Sequence, residues 1–150
     1  YDINLRPKCY TEKAITRSLA HGDILKFNDG EGNVLKEMFD FEGDENHFVR
    51  GLMKKFDLRM VSLTRGGEGS TLFTENARFN AMPSNILVKD TVGAGDAYAS
   101  VVAAGYLRGL SGDEIVKAAS KFSGKICGIP GALPDDADFY EEILSVLKRG

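Results

Sequence analysis

Asp90-Thr91-Val92-Gly93-Ala94-Gly95-Asp96 precedes a run of small and apolar residues that ends at Leu107. The stretch reads as an extended segment, a tight bend and a helix. Gly93 and Gly95 let the backbone turn sharply and come close to a ligand. The first N–H groups of the helix have no partner inside it. They point outward with the positive end of the helix dipole behind them, which makes an anion hole. Such a hole suits a phosphoryl group gaining charge in transfer. Asp96 lies on the first helical turn, where a carboxylate can take the proton of an attacking hydroxyl. A lone Gly-x-Gly before a helix also has a plain structural reading, in which the Asp is only a favourable partner of the dipole.

Upstream of this segment, strand and helix signals alternate. Tyr1 to Leu5 reads as a strand ended by Arg6-Pro7. Thr11 to Leu19 reads as a helix capped by Thr11, with Ala14, Ile15 and Leu19 as its apolar stripe. Asp23 to Phe27 is a short strand, Asn28-Asp29-Gly30-Glu31 a turn, and a helix follows through Val34, Leu35 and Met38. Glu45 to Phe56 is a helix with Phe48, Leu52 and Phe56 at four-residue intervals. Leu58 to Leu63 is a strand before the glycine-rich Gly66-Gly67-Glu68-Gly69. Ser70 to Phe73 and Ala77 to Met82 flank a turn and predict a hairpin, and Ile86 to Val88 one more strand. Gly112 to Cys127 and Asp136 to Lys148 predict the last two helices. This order predicts an α/β layered fold with a mostly parallel sheet. The chain starts at Tyr1 in what reads as a strand already under way, so a segment of a longer protein with an exposed sheet edge is expected.

Three spaced strings fit one family. The seven residues from Asp90 resemble the Asp-Thr-x-Gly-Ala-Gly-Asp signature of the PfkB, or ribokinase-like, carbohydrate kinases. Asn28-Asp29-Gly30-Glu31 is similar to that family's Asn-x-x-Glu motif. Leu63-Thr64-Arg65-Gly66-Gly67-Glu68-Gly69 is similar to its Thr-x-Gly-x-x-Gly nucleotide loop. Taken singly, the second is a turn with a helix-start carboxylate and the third a β-turn. Taken together and in order, they span the chain and correspond to the C-terminal half of such a kinase, residues 1–150, with the N-terminal half missing. The resemblance implies a three-layer ribokinase-like fold and ATP-dependent phosphorylation of a sugar hydroxymethyl group.

Residue by residue, it makes Asp96 the catalytic base and the amides around Gly93, Ala94 and Gly95 the phosphoryl hole. Asn28 and Glu31 would position Mg2+, largely through water. Thr64, Gly66, Gly69 and Thr91 would line the nucleotide, and Gly131 and Ala132 a loop by the adenine. Ser120 stands where many relatives carry Asn beside the adenine, and Arg65 where Leu is common. Asp2-x-Asn4-x-Arg6-Pro7 is similar to a strand motif of fructokinase-like and ketodeoxygluconate-kinase-like members, in which the Arg, here Arg6, reaches the substrate or phosphate region; read alone, Arg6 is a surface ion pair. Asp90 with backbone oxygens near Val92, Ile126 and Gly131 would hold a monovalent cation such as K+. Fructose is the first substrate expected, a ketodeoxygluconate-type acid sugar the second, a nucleoside the third. A nucleotide-binding module without chemistry is the reading from another class. A homodimer of the full-length protein is compatible with the family.

The totals agree. A length of 150 residues and 43% hydrophobic content suffice for a real core. A net charge of −3, without basic runs, argues against a nucleic-acid partner. A Gly-x-x-x-x-Gly-Lys-Ser/Thr string does not occur, and Tyr98 stands where a dinucleotide fingerprint needs its third Gly. Cys9 and Cys127 are expected as free, inert thiols in a reducing compartment, and His21 and His47 as surface residues. With no bilayer-length apolar run and no leader, the expected location is the cytoplasm, away from membranes.

Overall fold

The computed structural model describes residues 1–148. It contains α1 (Glu12–Leu19), β1 (Ile24–Asn28), α2 (Asp29–Met38), α3 (Glu45–Phe56), β2 (Met60–Thr64), β3 (Ser70–Thr74), β4 (Arg78–Ala81), α4 (Ala94–Leu107), α5 (Gly112–Cys127) and α6 (Glu141–Leu147). The strands lie in the order β1-β2-β3-β4. β1 and β2 are parallel, in register from Ile24↔Met60 to Asn28↔Thr64. β3 and β4 are joined by Glu75–Ala77, a link short enough only for an antiparallel hairpin. The chain divides into two compact units, Tyr1–Arg65 with Thr71–Arg78, and Gly66–Ser70 with the residues from Phe79 onward.

The first unit is built around β1 and β2. Leu25 and Phe27 of β1 and Val61 and Leu63 of β2 are buried together with Ile15, Leu19, Leu35, Phe48, Val49 and Leu52 from α1, α2 and α3. Phe27 meets Phe48 edge to face at 5.9 Å, a geometry that aromatic quadrupoles favour. α3 begins at Asp44, whose side chain accepts the His47 N–H, and ends at Asp57 in the left-handed conformation. From α3, Arg50 grips the hairpin turn: its guanidinium donates to the backbone oxygens of Thr74, Glu75 and Ala77. Arg65 at the end of β2 is tied back to α3 through Glu45 and reaches Thr71 Oγ1 at 3.1 Å. That pairing accounts for an Arg at this position.

In the second unit Tyr98, Val101 and Val102 of α4 and Ile115, Val116, Ala119 and Ile126 of α5 are buried. α5 opens with a capping box in which Ser111 and Glu114 exchange side-chain and backbone bonds. Phe122, Phe139 and Tyr140 form a ring cluster beside α6.

Several expectations need correction. Tyr1–Leu5 is not a strand but one parallel bridge, Asp2↔Lys26, with Ile3 N–H donating to the Lys26 oxygen. Asn4, at φ +40°, breaks the extended path there. Asn28–Glu31 is no separate turn, because Asn28 caps α2 directly. Ala14 is exposed, so Ile15 and Leu19 alone bury α1. Ile86–Val88 has no ladder partner among the described residues, and Leu87 and Val88 are exposed. The last helix starts later than expected, since Ala137–Tyr140 is a 3-10 turn set by the Asp136 side chain. His21 and His47 are exposed as expected, and Cys9 and Cys127 are both free thiols, Cys9 at the surface.

Phe27 is fully buried at the centre of the first unit. Phe27→Ala is expected to cost about 3–5 kcal/mol, read as a lower urea midpoint of that unit at unchanged slope.

Candidate active site

In the first unit the predicted residues gather at the C-terminal ends of β1 and β2, where parallel sheets place ligands. Asn28 and Thr64 end the two strands and are register partners. Asn28 Oδ1 accepts the Glu31 N–H at 2.9 Å, and Glu31 Oε2 accepts the Asn28 N–H at 2.8 Å. Glu31 Oε1 accepts the Leu5 N–H at 3.0 Å, so this buried carboxylate also anchors the segment that carries Asn4 and Arg6. Asn4 and Arg6 themselves are exposed. Asp2 is bound away from them by Lys26, 3.1 Å from each carboxylate oxygen.

The Asn28–Glu31 pair is therefore first a helix cap. Each Glu31 oxygen accepts one amide and keeps a second lone pair. That fits a hydrated Mg2+ held through water and does not fit a direct cage, which needs more oxygen ligands. No group of three or more His, Cys, Asp or Glu side chains able to hold a metal occurs among the described residues.

In the second unit Gly93 is the N-cap of α4, at φ +80°, with no side-chain cap bond. A Cβ at Gly93 would lie 2.6 Å from the Ala132 Cβ, so no other residue fits both the dihedral and the space. The bend brings Gly93 against the 131–132 loop, and the first α4 amide, Ala94 N–H, donates to the Thr91 oxygen at 3.3 Å. Asp96, on the first turn, is exposed. Ser123 Oγ donates to the Ala94 oxygen at 2.9 Å and steadies that turn from α5.

Asp90 joins these parts. Its Oδ1 accepts the Val92 N–H at 3.0 Å and its Oδ2 the Gly131 N–H at 3.1 Å. Those two bonds hold the carboxyl below the ordinary carboxylate range. Lys89 and Asp90 N–H both donate to the Cys127 oxygen at the end of α5. Burial, and then the Asp90 charge, pushes the Cys127 thiol up, which keeps it in the inert form. For the expected monovalent cation, the Asp90 oxygens are engaged by amides and the Ile126 oxygen by the Ile129 N–H.

Gly66–Glu68 forms a 3-10 turn closed by Gly69 N–H to the Gly66 oxygen, and Gly66 faces open space. Gly69 is at φ +89° with the Ala81 oxygen 2.3 Å from where a Cβ would stand. Ser120 is half-buried and shares a 2.6 Å hydroxyl contact with Ser70, while Ser84 Oγ donates to its backbone oxygen at 3.3 Å. The Ser70 and Ser84 contacts to Ser120 were not legible in the sequence, because isolated serines carry no spacing signal.

Glu31→Gln retains one acceptor oxygen and turns an NH2 group toward the second backbone N–H. It is expected to lower stability by about 1–2 kcal/mol, read by urea unfolding with and without Mg2+. Asp90 has a depressed folded-state pKa, so its contribution is complete above the ordinary carboxylate value and is lost as pH falls through the folded one. The stability gap between the wild type and Asp90→Asn is expected to stay level from pH 7 to about 5 and to close below about pH 4.

The profile described as pfkB family carbohydrate kinase matches residues 1–137. The fructokinase of Rhizobium leguminosarum bv. trifolii is 29% identical over 120 residues, covering 77% of this chain and 34% of its own length. The structure of 2-dehydro-3-deoxygluconokinase from Thermotoga maritima superposes with TM-score 0.78 at 19% identity, over 98% of this chain and 49% of its own. A candidate Ribokinase II of E. coli, solved with ATP and Mg2+, superposes with TM-score 0.76 at 18% identity, over 99% of this chain and 48% of its own. The chain thus spans about a third of the fructokinase it matches and just under half of these two structures. The fold is that of the ribokinase-like kinases, with a sheet flanked by helices. No helix among the described residues is long and apolar enough to cross a membrane. A profile match that runs from the first residue through the 131–132 loop, over a fold shared with these kinases, establishes that the chain belongs to the pfkB family of carbohydrate kinases.

Proposed function

We propose that this chain is the nucleotide-binding and phosphoryl-transfer part of a sugar kinase that moves the γ-phosphoryl group of ATP to a sugar hydroxymethyl group. The observation that carries the reading is the left-handed, uncapped Gly93 directly before α4, with exposed Asp96 one turn behind it. Asp96 accepts the proton of the sugar hydroxyl as that oxygen attacks phosphorus. The amides that follow Gly93 hold the equatorial oxygens as negative charge develops on them. Thr64, Gly66 and Gly69 line the nucleotide, with Thr91, Ser120 and the Gly131–Ala132 loop. Glu31 and Asn28 orient waters around Mg2+, which when bound neutralises phosphate charge. Arg6 and Asn4 are the substrate-side polar groups of the first unit.

Fructose is the first substrate in this reading. The similarity to the Rhizobium fructokinase supports it, together with the Asp2-x-Asn4-x-Arg6-Pro7 string. The Thermotoga neighbour favours a 2-dehydro-3-deoxygluconate-type acid sugar as the second, and a nucleoside is the third. ATP with Mg2+ is the donor, by likeness to the E. coli neighbour's complex. A cytoplasmic location, a homodimer of the full-length protein and a monovalent cation such as K+ belong to the same reading.

The test is Asp96→Asn in the intact gene product. Mg-ADP affinity is expected to stay within about threefold, while transfer to fructose drops by about 10²–10⁴. Near-normal turnover removes Asp96 as the base. Wild-type protein that binds Mg-ADP but phosphorylates none of the three substrates is instead a nucleotide-binding module.

A further inference from the structure

We infer that Asp90 is the positioning residue that passes nucleotide occupancy of the 131–132 loop to the phosphoryl-transfer turn. The inference rests on the kinase reading above and adds a residue to it. One carboxylate spans two segments 41 positions apart in sequence: Oδ1 holds the Val92 N–H and Oδ2 the Gly131 N–H. Val92 is the residue before Gly93, and Gly93 packs on Ala132 so closely that a Cβ would overlap it. The two segments therefore meet twice, once through the carboxylate and once through bare backbone. The base of the bend is fixed separately, by the Lys89 and Asp90 amides on the Cys127 oxygen.

With that base held, Val92–Gly93 and Gly131–Ala132 shift together or break a bond. The amides after Gly93 follow, because Gly93 is the cap of α4 and its oxygen accepts the Ala97 N–H at 2.9 Å. Asp is the side chain this needs, since it offers two acceptor oxygens and no donor. Asn keeps one acceptor and turns an NH2 toward the other amide. Gly131 is itself exposed at φ +73°, so its N–H has few other ways to be fixed.

The experiment follows the Gly131 and Gly95 amides by NMR hydrogen exchange in the full chain, with and without Mg-ADP. In the wild type both amides are expected to slow together on adding Mg-ADP. In Asp90→Asn, with helix content unchanged, Gly131 exchange is expected to rise about tenfold and the Gly95 response to disappear. In the intact gene product kcat is expected to fall about 10–100-fold and KM for ATP by less than threefold in either direction, because what is lost is the placement of reacting groups. Asp90→Glu, which keeps both acceptors on a longer arm, is expected to regain part of kcat, and it serves as the folded variant should Asn at 90 unfold the unit. A Gly95 response of wild-type size in a folded position-90 variant overturns the inference while leaving the kinase reading intact. A wild type whose amides ignore Mg-ADP overturns both.

Discussion

Position 93 has no room for a side chain. Its backbone is left-handed, and the β-carbon of Ala132 lies only 2.6 Å from where its own would stand. That one restriction decides how α4 begins. No side chain folds back over the first turn: the Ala94 amide turns to the Thr91 oxygen instead, and the aspartate one turn on is exposed. The rest of the second unit keeps this bend in place, through Asp90 on both sides of it, Ser123 on its first helical oxygen and the Cys127 oxygen beneath. A site that must receive a charged group without reorganising is best made from backbone fixed in this way.

The corner at β1 and β2 works differently. Its two polar residues are consumed in part by the helix they start, as the simplest reading of four such residues in a row would have it. The structural and chemical readings do not compete there, because a carboxylate oxygen that accepts one amide can still order a water. What the cap adds is rigidity. A Glu31 carboxylate held by two backbone amides, with its own N–H on the Asn28 side chain, presents its remaining lone pairs in one direction.

Periodic, well-capped segments were legible. Glu45–Phe56 and Gly112–Cys127 have the bounds their apolar spacing implies, because burial of one helical face sets that spacing directly. The glycine bend was legible for the same kind of reason, since its dihedral needs are written in its residues. Failures fell where a strand signal depends on a neighbour. Ile86–Val88 and Tyr1–Leu5 are apolar enough for strands, but an apolar pattern does not supply a ladder partner. Long-range polar pairs were beyond reach too: Ser70 with Ser120 and Arg65 with Glu45 are contacts of tertiary geometry alone. The resemblance placed Asp90 near Gly131 around a cation; the direct bond from the Gly131 amide to the Asp90 carboxylate is what it did not indicate.

Arg50 shows how such a partner redistributes constraint. It holds the hairpin turn by the carbonyl oxygens of Thr74, Glu75 and Ala77, and its guanidinium also lies over the Phe73 ring of β3. A carbonyl belongs to every amino acid, so the residues of that loop are at liberty to drift over generations without loosening it. The burden moves to position 50, where lysine, a single point charge, has no planar fork to engage several oxygens at once. The tip of the hairpin is thus a natural place to vary the sequence or attach a label, and the helix residue that grips it is where inheritance must be strict.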